Sequence, residues 1–434
     1  MPELIDQSGL KKAISNEIPR RSQPMRALLE LSLRFASISG KEEAFTHTLA
    51  NWAKEHGFAT DLWIGDETEI ISRYGPISRH IPLTNRPTLH ISLDGDKQSR
   101  SILFNGHSDV VDAPEPRRWR FDPWAGTSEG HMVYGRGACD VKGGIIAALW
   151  AMLTVKNAIP SHQRGSIGLE IVPGEEDCVG LGTLTSVARG YESDGVIVLE
   201  PTNSLPRCAS RGGIRFEVIA TGRAVHGTVK WLGVDAIGVM QKVLMALTNI
   251  EQHWNDRQAD RLFSKYPIAR SITVDRVNGG DWQGMVCDRC MCAGYLELLP
   301  GDDLSQSKVK LQQELSKELH QLGQNPGNVR IEFSEEYRGH MTSPDHPLCA
   351  VAQECVQEHR TETKQWEGWQ GFNSGCEAGL RANLLGTPTL VWGPGSLDFA
   401  HAVDERIDFR EVEITAERFA GFMLSWGETK ESSC

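Results

Sequence analysis

The sequence predicts an α/β fold: a mostly parallel central sheet flanked by helices, with a smaller α+β module inserted into it. Three observations carry this. From about residue 100, short runs rich in Ile, Leu and Val recur, each ending in polar or acidic residues, as expected of strands buried on both faces. The first two runs are separated by apolar residues at helical spacing, which gives a strand, helix, strand order. The texture then changes near residue 209 and changes back near 336. The chain therefore reads as one discontinuous domain, residues 1–208 and 337–434, interrupted by an insert, residues 209–336.

The elements follow in order. MRALLELSLRFASI and the stretch around FTHTLANWAKEHGF repeat apolar residues at three and four, which predicts helix within residues 24–57. SILFNGHSD, SIGLEIVPGEED, GVIVLEPT and, far downstream, TPTLVWGPG are the strand candidates. Between the first two, DVKGGIIAALWAMLTVK is helical, with Asp140 where an N-cap would stand. In the insert, a strand in GGIRFEVIATGRAVHGT precedes a helix near DAIGVMQKVLMALTNI. Strands near SITVDRV and CMCAGYLELLP and a helix in LSQSKVKLQQELSKELHQL complete it.

Composition limits the function classes. The 434 residues are 40% hydrophobic and 24% charged, with 43 Gly and 20 Pro, close to the globular average, so disordered, collagen-like and coiled-coil readings are poor. A net charge of −12 without any long Lys/Arg run argues against a nucleic-acid or anionic-membrane partner. The N-terminal stretch is charged every few residues and lacks a signal-peptide core. No segment reads as a run of roughly 18 apolar residues, so the expectation is a cytoplasmic protein.

The ten cysteines read as reduced thiols. Cys139, Cys178, Cys208, Cys349, Cys355, Cys376 and Cys434 are scattered. Cys287, Cys290 and Cys292 cluster, but without a second Cys or His pair at zinc-finger spacing, so they read as strand or loop thiols.

In open α/β sheets, ligands collect at the carboxyl ends of the strands. The residues there are His107-Ser-Asp109, Asp140 after a glycine-bearing loop, Glu175-Glu176-Asp177, Glu200 and, in the last loop, His401. Taken singly, each has a plainer reading: a hydrogen-bonded surface histidine, a helix cap, a solvated acidic turn. Together, acids and imidazoles placed by strand ends toward one crevice point to a site for divalent cations, which would offset crowded anions. Gly135-Arg-Gly137 is only half of a dinucleotide fingerprint, with Asp140 where its last glycine would be, which argues against a nucleotide cofactor.

FNGHSDVV, GRGACDVKGG, VPGEED, VLEPT, GRAVHGT and GPGSLDFAHAVDERI together resemble the aminoacylase/carboxypeptidase G family of co-catalytic metallohydrolases, relatives of acetylornithine deacetylase and succinyl-diaminopimelate desuccinylase. The segments match in order and spacing, nearly throughout the chain from about residue 30. The resemblance implies a zinc-peptidase-like catalytic domain and an inserted lid and dimerisation domain. It implies one or two divalent ions per subunit, zinc first, with manganese or cobalt as alternatives. His107 and Glu200 would bind one ion, Glu176 and His401 the other, and Asp140 would bridge them. Asp109 would orient His107, and Glu175 would be the general acid/base. His226 would reach the active site of a partner subunit and help hold the oxyanion, which makes the protein a homodimer acting on a small-molecule substrate.

Two positions depart from the pattern. Leu298 stands near the place of an Arg that binds a substrate carboxylate in many relatives, and Glu377-Ala378-Gly379 replaces a common Asp-Ala-Arg segment. Arg211, Arg215 and Arg289 are the substitute candidates for substrate binding. The 12 Trp, including Trp366, Trp369 and Trp392, line an aromatic pocket in one reading and pack as core in the other. The leading expectation is hydrolysis of an amide C–N bond in an N-acyl amino acid, short peptide or related compound. Its alternatives are hydrolytic removal of an amino group from an aromatic substrate and a non-catalytic binding protein on the same scaffold.

Overall fold

The computed structural model describes residues 7–74, 81–177, 180–255, 260–358 and 366–428; Cys178 and Cys434 lie outside the described residues. The chain divides into two compact units. The first comprises Met1–Ala209, Met341–Trp369 and Cys376–Cys434, and the second Ser210–His340 with Gln370–Gly375. The second unit thus runs past residue 336 and takes in a short distant segment, because Arg211 N–H donates to the Ser374 carbonyl at 3.0 Å and the Tyr266 hydroxyl to that of Gly371 at 2.9 Å.

The first unit is built on six strands in the spatial order Ala59–Ile64, Pro87–Leu93, Ile167–Val172, Ile102–His107, Val196–Val198 and Thr389–Val391. The last four run parallel, and the first two add an antiparallel edge. Every residue of Ile102–His107 and Ile167–Val172 is buried, which is why these strands read as continuous apolar runs.

The helix Gly143–Ala158 fills the crossover between those two strands and is buried throughout Gly143–Val155. Enclosed on all sides, it needs no polar face. With its preceding turn, Ala138–Ala158 is, against expectation, long and apolar enough to cross a membrane by length and composition, and its apolar stretch is wholly buried in the protein. Against it pack Gln7–Arg20, which the sequence reading left unassigned, and the C-terminal Phe409–Glu428. Residues 24–57 carry two helices, Ser22–Leu33 and Glu43–Glu55.

The second unit has an antiparallel sheet in the order Ile272–Gly279, Arg289–Leu298, Gly212–Thr221, Val329–Tyr337. The last strand escaped sequence reading because Val329–Tyr337 is only partly buried and carries four charged residues. Helices Ala236–Asn255 and Leu304–Gln321 pack through Val243, Leu247, Leu311 and Leu315 onto Phe216, Val218, Cys292 and Leu296. Asp303 caps the second helix by accepting the Gln306 N–H at 2.8 Å. Cys290 and Cys292 are buried strand thiols, and Cys287 Sγ donates to the Arg289 carbonyl at 3.0 Å.

Candidate metal centre

Because neighbouring strands of the first unit are parallel, their carboxyl ends lie side by side, and the chemistry-bearing residues meet there. His107 ends its own strand, Glu200 lies just beyond Val196–Val198, and Glu175 and Glu176 follow Ile167–Val172. Gly174, at φ +86°, makes the turn that brings these acids back, a conformation that favours glycine.

Asp140 is not a helix cap. The helix starts at Gly143 after Lys142, and Asp140 and Val141 have non-helical backbone angles. Its carboxylate instead lies between two imidazoles: Oδ1 is 3.1 Å from His107 Nε2 and Oδ2 is 3.2 Å from His401 Nε2. Glu200 Oε1 lies 3.9 Å from His107 Nε2, and Glu176 Oε2 lies 3.0 Å from His401 Nε2. Two groups result, His107/Asp140/Glu200 and Asp140/Glu176/His401. Within each, one potential ligand atom per residue lies within 4.8 Å of the others.

Electrostatics matches a site that expects cations. Burial, then neighbouring carboxylates, raises the Glu175 and Glu200 carboxyls well above the ordinary range, and burial also raises Glu176. Burial would raise Asp140 too, but hydrogen bonds with His107 and His401 outweigh it and depress this group. Hydrogen bonds to Asp140 and Glu176 push His401 up to about 11. At His107, burial opposes protonation, but the Asp140 hydrogen bond and surrounding acids prevail and raise it. Imidazolium protons thus offset part of the negative charge, and divalent cations would offset more. The nitrogen and oxygen donor set fits zinc, manganese or cobalt.

The Asp109 carboxylate does not hold the His107 ring as the sequence reading expected. His107 Nδ1–H donates to the main-chain carbonyl of Asp109 at 2.8 Å, while the nearest carboxylate oxygen is 3.9 Å away. That carboxylate, fully buried, accepts the N–H groups of Gly174, Glu175 and Glu176 at 3.0, 3.3 and 3.1 Å and the Ser39 hydroxyl at 3.0 Å. A carboxylate two residues beyond the strand is better placed for the neighbouring turn's amides than for the ring at the strand's end.

The remaining candidates fall elsewhere. His226 is an exposed residue of the second unit, and its Nδ1 accepts the Thr228 N–H at 3.3 Å. Arg211 is buried, donates to the Ile268 carbonyl and lies over Phe263 and Tyr266. Arg215 pairs with Asp275. Arg289 is exposed at a strand end and helps line a cavity of about 340 Å³ with Thr221 and Arg330. Leu298 belongs to the core of the second unit. Trp392 is core, in edge contact with Phe419 and Phe422, while Trp366 and Trp369 are half-buried and pack edge to face.

The sequence reading assigned no role to Glu377, a buried acid whose carboxyl burial pushes up to about 8. Nor did it assign one to Arg86, which joins Glu42 and Asp177 behind Asp109. An acid in a substituted motif was the only available signal for Glu377.

Comparison with known proteins gives the chain's family. Residues 103–425 match Peptidase family M20/M25/M40. A deformylase of Bacillus subtilis acting on N-formyl-4-amino-5-aminomethyl-2-methylpyrimidine is 24% identical over 356 residues, 76% of this chain and 80% of its own. Acetylornithine deacetylase of Vibrio cholerae is 29% identical over 323 residues, 72% and 78% of the two chains. A dipeptidase of Saccharomyces cerevisiae shares the fold at a TM-score of 0.76 and 14% identity, covering 97% of this chain and 99% of that one. This chain is a metal-dependent hydrolase. It belongs to Peptidase family M20/M25/M40.

Proposed function

We propose that the chain hydrolyses the amide C–N bond of a small N-acyl compound, with His107 and Glu200 holding one divalent ion, Glu176 and His401 a second, and Asp140 shared between them. The observation that carries this reading is the Asp140 carboxylate, whose two oxygens face two different imidazoles at 3.1 and 3.2 Å. Bound ions supply Lewis acidity there, polarising the scissile carbonyl and lowering the pKa of water.

Glu175 belongs to neither ligand group, so its carboxylate is free to take a proton from the attacking water. As the oxygen–carbon bond forms and the carbon–nitrogen bond breaks, that proton passes to the leaving nitrogen, giving a carboxylic acid and an amine. His226 would supply an oxyanion donor to a partner subunit in a homodimer formed through the second unit. The Thr228 amide donates to Nδ1 and the Thr228 hydroxyl lies 2.8 Å from it, which leaves Nε2–H as the donor.

The substrate carries no amino-acid carboxylate clamped by arginine, in this reading, since Leu298 is core and Arg211 is buried against aromatic rings. The pyrimidine deformylase among the relatives supports an N-acyl amine of that type. The test is a screen of zinc-, manganese- or cobalt-loaded protein against N-formyl and N-acetyl amines, N-acyl amino acids, dipeptides and aromatic amines. Release of a carboxylic acid with an amine supports the proposal. Ammonia release from an aromatic amine without any acid would replace it with the aminohydrolase reading.

A further inference from the structure

We infer that the buried Arg136–Glu405 pair is a positioning device for the metal centre: it fixes the main chain at Asp140 and the loop of His401, and thereby sets the affinity for the ions. The inference rests on the reading of the metal centre given above.

Neither residue belongs to a ligand group, yet both touch the backbone of residues that do. Glu405 is fully buried and Arg136 nearly so. Glu405 Oε1 accepts the N–H of Cys139 at 3.1 Å and that of Asp140 at 3.2 Å, so one oxygen holds the peptide that aims the shared carboxylate. Glu405 Oε2 accepts from Arg136 Nη1 at 2.7 Å. Through its other amino group, Arg136 reaches the carbonyls of Asp112 at 3.4 Å and His401 at 3.5 Å. The Gly135 N–H closes the circuit on the Glu405 carbonyl at 3.0 Å.

A second observation comes from the backbone. His401 and Asp404 sit at φ +58° and +60°, a left-handed conformation that non-glycine residues keep where their surroundings enforce it. At His401 the guanidinium of Arg136 meets the carbonyl, and at Asp404, next to Glu405, the Arg120 N–H donates to the carboxylate at 2.6 Å and Arg406 Nη1 to the carbonyl at 3.1 Å. A buried ion pair gains little net stability over an apolar replacement, because desolvation offsets the attraction. Its use here is therefore geometric. Three loops that reach the centre from distant parts of the chain, those of Asp112, Asp140 and His401, meet on one guanidinium and one carboxylate.

The test uses the metal-free full chain and zinc alone. E405Q keeps the volume and one acceptor oxygen but turns an amino group toward Arg136. R136M removes the fork, and R136K restores the charge without it. Zinc affinity is read by competition with a chromophoric chelator, and the fold by melting of the metal-free proteins.

The expected result is zinc binding about 10- to 100-fold weaker in E405Q and R136M, the range found when partners of metal ligands are altered. Partial recovery in R136K should accompany it, with metal-free variants that still melt cooperatively, at a lower temperature than the wild type. Wild-type protein that binds zinc, with both variants within about twofold of it, overturns the inference and leaves the metal centre standing. Wild-type protein that takes up no zinc overturns the metal centre and the inference with it. Collapse of both metal-free variants also overturns it, because the pair would then serve the fold at large.

Discussion

His107 and Asp109 are joined through the main chain: the Nδ1–H of the imidazole donates to the Asp109 carbonyl at 2.8 Å, and the Asp109 carboxylate turns away to the amides of residues 174–176. One residue thus fixes the ring with its backbone and the Glu175–Glu176 turn with its side chain. Asp109→Ala should leave the ring hydrogen bond in place while stranding three amides. Since an unsatisfied buried donor costs roughly 1–3 kcal/mol, a loss of about 3 kcal/mol in chemical denaturation is expected, with kcat lower by roughly 10- to 100-fold as the turn shifts. Unchanged kcat would show that the turn holds itself.

Glu175→Gln should keep the metal content near that of the wild type and lower kcat by at least about a hundredfold, since the proton carrier is lost and the ligands are not. Asp140→Ala is the contrast, because it removes a carboxylate common to both groups and should cost metal. Metal analysis of the two proteins beside their turnover decides. Wild-type turnover in the first, or full occupancy in the second, contradicts the assignment.

Glu297 offers a pH test within the second unit. It is a half-buried acid whose carboxyl burial raises to about 7, with the Arg211 charge opposing the shift. Its folded value lies above the ordinary 4.5, so its contribution to stability is fully present below about pH 4.5 and is lost as pH rises through 7. At about 1.4 kcal/mol per pKa unit, the loss is of order 3 kcal/mol. Glu297→Gln should therefore gain on the wild type by about 2–3 kcal/mol between about pH 5 and pH 8 in urea denaturation. Parallel curves across that range would remove Glu297 as the cause.

His226→Ala should lower kcat with little change in metal content if the residue serves a partner's site. Mixed with Glu175→Gln under conditions of subunit exchange, it should recover part of the activity, because a mixed dimer can hold one site with both groups intact. An exchanging mixture that stays inactive, or a fully active monomer in sedimentation, would confine His226 to the hydrogen bond it makes with Thr228 within its own turn.

The strands and the acids at their ends were legible because fully buried parallel strands leave continuous apolar runs, and polar residues mark where they stop. Less legible was what depends on side-chain direction. His107, Asp140, Glu200, His401 and the Glu175–Glu176–Asp177 cluster could be picked out from position, and the family resemblance proposed Glu176 within that cluster, but Asp109 has both a carbonyl and a carboxylate, and a sequence does not say which of them meets the ring. Arg136 and Glu405 were hidden for a related reason. They are 269 positions apart, and their role lies in contacts with backbone atoms, which leave no residue-type signature. The strand Val329–Tyr337 was missed because its apolar face is only partly buried and its other face carries charge.

The order of ligands along the chain has a consequence for synthesis. His107, Asp140 and Glu200 have all been made once residue 200 is translated, whereas His401 comes more than two hundred residues later, after the whole second unit. At roughly 5–20 residues per second, the ribosome holds the chain for on the order of ten seconds or more with one ligand group written and the other lacking its histidine. A nascent chain in that interval also lacks Glu405, whose carboxylate holds the Asp140 amide, so neither proposed ion position is complete until the last loop has been made.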